Sequence, residues 1–142
     1  MHVAYTTNLL DGLRSKKNIT VNEELAAVYE KWIEENPFDD GGKVWAAEPW
    51  NQKEMPLTDE LVAQARSKSG KAIVVIGRTA GEDQDNADAP GSYQLTEDEK
   101  AMLKQVTAHF EHTIVVLNVS NIIDMSWLNE TYVHPIQGVI YS

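Results

Sequence analysis

The chain has 142 residues, 42% of them hydrophobic and 24% charged, with a formal net charge of −10. That length suits one domain with a sizeable core, and that composition is globular rather than disordered. An acidic field of this size repels phosphate backbones and argues against nucleic acid or an anionic membrane as partner, whereas a neutral ligand such as a sugar is compatible with it. There are no cysteines, so disulfide frameworks and thiolate metal sites are ruled out. No apolar run approaches the ~20 residues of a membrane helix. Met1-His2-Val3-Ala4-Tyr5-Thr6 lacks the basic and apolar regions of a signal peptide, and a cytoplasmic location is the expectation.

Taken in chain order, Thr6 or Thr7 is placed to cap a short helix through Leu9, Leu10 and Leu13. It ends near Lys16-Lys17, where cations suit the carbonyl end. Ile19-Thr20-Val21 is short and β-branched, which predicts a brief strand. Asn22 caps the next helix, in which Leu25, Val28, Tyr29, Trp32 and Ile33 form one stripe at helical spacing. Asn36-Pro37 stops it. Residues 38–57, with Gly41-Gly42, Trp45, Trp50 and two prolines, read as an irregular excursion held by its aromatics. Thr58-Asp59-Glu60 opens a third helix with Leu61, Val62 and Ala65 facing inward.

The run Ala72-Ile73-Val74-Val75-Ile76 is apolar at every position, the pattern of a parallel strand covered on both faces. A polar loop from Thr79 to Leu95 comes next. Thr96 and Glu99 form a capping box for a helix that buries Met102, Leu103, Val106 and Phe110. Ile114 to Asn118 is a second two-faced strand. A short helical segment around residues 122–128 leads to a last strand, Gly138-Val139-Ile140-Tyr141. Strands alternating with helices at this spacing predict an α/β fold, a three-layer α/β/α sandwich whose open sheet is mostly parallel, with residues 1–142 forming one domain.

In such sheets ligands bind beyond the carboxyl ends of the strands. Two segments qualify: the 78–95 loop, and Asn118-Val119-Ser120-Asn121. The loop carries Glu82, Asp83, Asp85 and Asp88, with Arg78 at its start as the one cation. On the residues alone three readings stand. One is a solvated acidic turn, since charge runs usually face water. Another is a cation site, although the spacing lacks the EF-hand ligand pattern and its terminal glutamate. The third is general acid/base work by one carboxyl whose pKa neighbours or burial raise. Elsewhere, Gly77, Gly81 and Gly91 match neither GxGxxG nor a Walker loop. His2, His109, His112 and His134 are scattered, and Ser120 and Ser126 lack a His/Asp pattern. No cofactor or metal is expected. Trp32 reads as core; Trp45 and Trp50 fit either an anchoring or a sugar-stacking role.

Several runs together resemble a known family: Ala72 through Arg78 to Glu82-Asp83, Pro90 to Glu97, Ile114 to Val119, and Asn121 to Trp127. Leu9 to Arg14, the Val21-to-Trp32 helix, Glu48-Pro49-Trp50 and Met55-Pro56-Leu57 match in the same order. They resemble the second domain of family 3 glycoside hydrolases, in its bacterial β-glucosidase branch, over essentially the whole chain. The resemblance implies a retaining glycosidase acting on a β-glucoside or related oligosaccharide. A TIM-type barrel of the same parent chain then supplies an aspartate nucleophile, and this domain supplies the acid/base glutamate. The matching position is Glu82, with Asp83 a lesser alternative, and Arg78, Asp85 and Asn86 line the sugar cleft. Retaining chemistry sets the two carboxyls about 5–5.5 Å apart, so the isolated chain is expected to be inactive.

The same resemblance places a strand before residue 1 and more chain after Tyr141. The sheet is therefore expected to be incomplete at its first strand and C-terminal end. Either Ile19-Thr20-Val21 closes the gap, or a second copy does so by association or strand swap. A non-catalytic carbohydrate-binding or structural α/β domain is the alternative. A flavodoxin-like domain shares the fold class but needs a phosphate loop that is missing here.

Overall fold

A computed structural model describes residues 7–79 and 84–142. Each helix begins where a short polar side chain satisfies an orphan backbone N–H. Helix α1 (Leu9–Arg14) is capped by Asn8, whose Oδ1 accepts from Asp11 N at 2.8 Å. The cap falls there rather than on a threonine because asparagine reaches the third amide as well as any residue does. Asn22 caps α2 (Glu23–Glu35) and Thr58 caps α3 (Asp59–Lys68), both through the third residue's amide. Helix α4 (Glu97–His109) carries the full capping box, with Thr96 Oγ1 and the Glu99 carboxylate each bonding the other's backbone N–H.

Strands β1 (Lys71–Gly77), β2 (His112–Asn118) and β3 (Ile136–Tyr141) form a parallel sheet in the order β1-β2-β3. β1 and β2 pair without a slip, from Lys71 opposite His112 to Gly77 opposite Asn118. β3 carries one irregularity beside Thr113 and Ile114. On one face Val74, Ile76, Val115 and Leu117 are buried beneath Val62 and Ala65 of α3, Met102, Leu103 and Val106 of α4, and its C-cap Phe110. Trp127 and Ile123, from the connection between β2 and β3, close that layer. Trp127 is fixed by its indole N–H, which donates to the Asp124 carbonyl at 2.7 Å. All four residues read as the inner face of α4 and its cap are buried, so local pattern and tertiary packing agree.

The other face differs from the two-sided cover that the apolar strands suggested. Ile73, Val75, Ile114 and Ile140 lie between 39% and 54% exposed, because no described element packs over them. The described residues thus supply a sheet and one helical layer. Two further expectations are corrected. Ile19-Thr20-Val21 is not a strand; among the described residues no strand pairs with it, and Ile19 is exposed. The α2 stripe is narrower than its spacing suggested, with Ala26 buried, Leu25 against the core, and Val28 and Ile33 in solvent. The helix meets α3 at its edge, where Glu24 pairs with Lys68 at 3.3 Å.

Leu103 is fully buried at the centre of the single packed layer. Leu103→Ala is expected to destabilise the chain by about 2–5 kcal/mol. Urea unfolding followed by tryptophan emission checks this, with the midpoint falling and the slope unchanged.

Candidate active site

Parallel strands end together, and the segments leaving β1 and β2 meet at one edge. Arg78 N donates to the Asn118 carbonyl at 3.1 Å, which continues the sheet ladder by one step. A third segment, residues 38–57, comes to the same edge: Thr79 N donates to the Trp50 carbonyl at 2.7 Å, and Gln52 Nε2 to Thr79 Oγ1 at 3.3 Å. Its path needs Gly41, at φ +63°, where a Cβ would stand 2.3 Å from the Ala47 carbonyl carbon.

Beneath this edge lies a buried ion pair. The side chains of Arg78 and Glu99 are 6% and 5% exposed. Arg78 Nη1 bonds Glu99 Oε1 at 2.6 Å, and Nη2 bonds Oε2 at 3.1 Å, a two-pronged contact. Its remaining donors go to carbonyls: Nε to Ser92 at 2.8 Å, Nη1 to Gly77 at 2.8 Å and Nη2 to Gln94 at 3.1 Å. A guanidinium has five N–H groups, and all five are engaged inside the domain.

The described return half of the loop, from residue 84 on, is fastened at several points. Gln84 Nε2 donates to the carbonyls of Ala46 and Glu48 at 3.1 and 3.0 Å. Asn86 Nδ2 donates to the Ile122 carbonyl at 2.9 Å, tying the loop to the segment after β2. Ser92 Oγ accepts from Ala87 N, and Asp88 accepts from Gln94 Nε2 at 2.7 Å. The turn at Gly91 has φ +85°, and a Cβ there would stand 2.1 Å from Asn51 Oδ1, so only glycine fits. Trp45 projects into solvent beside these contacts, 79% exposed.

Of the residues singled out from sequence, Arg78, Asp85 and Asn86 all belong to this loop, but no hydrogen bond joins Arg78 to the other two among the described residues. Arg78 lies below it, while Asp85 and Asn86 are exposed on its surface. Glu82 and Asp83 lie outside the described residues. The acidic loop provides no group of three or more metal-ligating side chains among the described residues. Sequence reading passed over Gln84, Glu99 as an arginine partner, and Glu54. For Gln84 and Glu54 no local pattern signals the role. For Glu99 the signal was present, since a capping-box glutamate also has a second oxygen to offer.

Likeness to known proteins identifies the class. The model of the glycosyl hydrolase family 3 C-terminal domain matches residues 1–141, and the chain belongs to that family. Over 130 residues it is 45% identical to a beta-glucosidase of Ruminococcus albus, covering 92% of this chain and 14% of that protein. Among solved structures, a beta-glucosidase of Paenibacillus barengoltzii matches with a TM-score of 0.86 and 64% identity, over 90% of this chain and 14% of that one. Beta-glucosidase 3B of Thermotoga neapolitana, solved with glucose, gives a TM-score of 0.72 and 26% identity over 90% of this chain and 18% of that one. The chain therefore spans about a seventh of the length of the first of these relatives.

Glu54 sits next to this centre, its carboxylate accepting from Met55 N at 2.8 Å. Burial pushes its pKa up, and the charges of Glu99 and Asp98 add to the rise, against the pull of the Met55 N–H. A carboxyl whose folded pKa is raised binds its proton more tightly in the folded state. Its stabilising effect is therefore present at low pH and lost as pH rises from the ordinary carboxylate range through the raised value. Glu54→Gln is expected to melt higher than the parent at pH 7 and together with it near pH 4. Thermal unfolding at the two pH values checks this.

Proposed function

We propose that this chain is the second domain of a retaining β-glucosidase-type glycoside hydrolase and that Glu82 is its general acid/base. The supporting observation is the anchored loop at the carboxyl edge of the sheet, in a domain of this family. Glu82 itself lies outside the described residues, and the described part of its loop resumes at Gln84. Gln84 is itself held by two carbonyls from the neighbouring segment. The carboxyl edge from which this loop leaves is where α/β sheets receive ligands, which supports assigning the proton donor to the loop. Asp85 and Asn86, exposed on the same loop, are the polar groups assigned to the sugar hydroxyls.

The step follows from the geometry of retaining catalysis. A carboxylate on a partner domain attacks the anomeric carbon while Glu82 protonates the departing oxygen; water then releases the sugar, with Glu82 acting as base. The partner domain is a catalytic barrel in the same parent chain, and the substrate a terminal β-glucoside or related oligosaccharide. Neither carboxyl suffices alone, so the isolated 142-residue chain should not hydrolyse an aryl glucoside.

In the full-length enzyme, Glu82→Ala is expected to lower turnover of an alkyl β-glucoside by about 10²–10⁴-fold. An aryl glucoside with a highly acidic phenol should suffer far less, and added azide should restore part of the rate. An equal loss on both substrates would remove Glu82 from the role.

A further inference from the structure

Resting on that assignment of Glu82, we propose that Arg78 and Glu99 are positioning residues for the proton donor. They form a clasp that holds both ends of the 78–95 loop in register with the sheet. Arg78 stands where β1 releases the chain, and Ser92 and Gln94 stand where the loop returns to α4. One guanidinium joins the two ends, with Nε and Nη2 bonding the return stem and Nη1 bonding the Gly77 carbonyl. Glu99 fixes the guanidinium with both oxygens, while Oε2 also accepts the Thr96 N–H at 2.8 Å. The end of β1, both loop stems and the first turn of α4 therefore meet at one point.

A pair present only to neutralise itself would not need this arrangement. Buried ion pairs contribute little net stability over apolar residues of the same volume, and three of the five bonds here go to carbonyls rather than to charge. Those carbonyls belong to Gly77, Ser92 and Gln94, the strand end and the return stem of one loop. General acid catalysis is intolerant of displacement: about 1 Å of misplacement can lose on the order of 10²-fold in rate. Lysine cannot replace the clasp, because an ammonium is a point charge without the planar fork.

The test uses the full-length enzyme and two substrates, an alkyl β-glucoside that needs protonation and a dinitrophenyl β-glucoside that does not. Arg78→Lys is expected to lower kcat on the first by roughly 10–100-fold, with KM held within about threefold. The second substrate should change by less than about threefold, and the alkaline limb of the pH profile should move. Arg78→Met/Glu99→Leu removes the tether while keeping the volume and removing both buried charges, and should show the same contrast between the two substrates at a temperature where the variant is folded. Wild-type kinetics in either variant, or equal losses on both substrates, would overturn the clasp. Glu82→Ala in the same assay separates the two ideas: if it loses both substrates equally, the acid/base assignment has failed; if it is leaving-group-selective while the clasp variants are not, only the clasp has.

Discussion

Pairing β1 with β2 in parallel and without a slip is the constraint on which the site depends. Parallel strands start and finish at the same level, so Gly77 and Asn118, opposite each other, deliver their outgoing loops to one edge. Had the register moved by one residue, each strand's buried set would have turned to solvent. The register is held by burying Val74, Ile76, Val115 and Leu117 under α3 and α4. The same packing sets where α4 begins, and hence where Glu99 can meet Arg78. Core and site are consequences of one layer.

That layer works alone among the described residues. A parallel sheet ordinarily buries both faces, and here the face of Ile73, Val75, Ile114 and Ile140 is open. Polar groups within the packed side are correspondingly well provided for. Thr107 Oγ1 donates back to the Leu103 carbonyl at 2.7 Å, and Glu99, almost fully buried, accepts from a guanidinium and an amide at once. The exposed ion pairs that join Arg14 to Glu23 and Glu30 are a weaker kind of tie, because solvent screens them.

What could be read from sequence was what local chemistry decides. The capping box at Thr96 and Glu99 and the stripe of α4 needed only spacing, and both core strands declared themselves by composition. Their boundaries ran a residue or two longer because terminal polar residues such as Lys71 and His112 still pair. Ile19-Thr20-Val21 shows the limit, since β-branching makes a strand only where an edge waits to bond it. Val28 and Ile33 show it again: helical spacing names a face but not the width of the surface it meets. The Arg78–Glu99 contact joins residues 21 apart in sequence, and nothing local in either predicts the other. The loop's acidity was legible, whereas its fastening through Gln84 and Asn86 is tertiary and was not.

Charge balance beneath the loop follows from the same geometry. The charges of Asp98 and Glu99 are close enough to act on the Glu54 carboxyl, and the buried Arg78 cation stands beside Glu99. A guanidinium satisfies one carboxylate fully when both prongs engage, so Glu99 takes the compensation, while burial first and the neighbouring charges second raise the pKa of Glu54. An acidic chain of net charge −10 can in this way keep a neutralised pair under the carboxyl edge of its sheet. The excess negative charge falls on Glu54, the group best able to relieve it by taking a proton, and on residues such as Asp85 that face water. Such a division suits a loop whose proposed chemistry needs one carboxyl protonated at neutral pH: the buried cation at the loop's stems is paired with Glu99, and acidity elsewhere on the loop, as at Asp85, faces water.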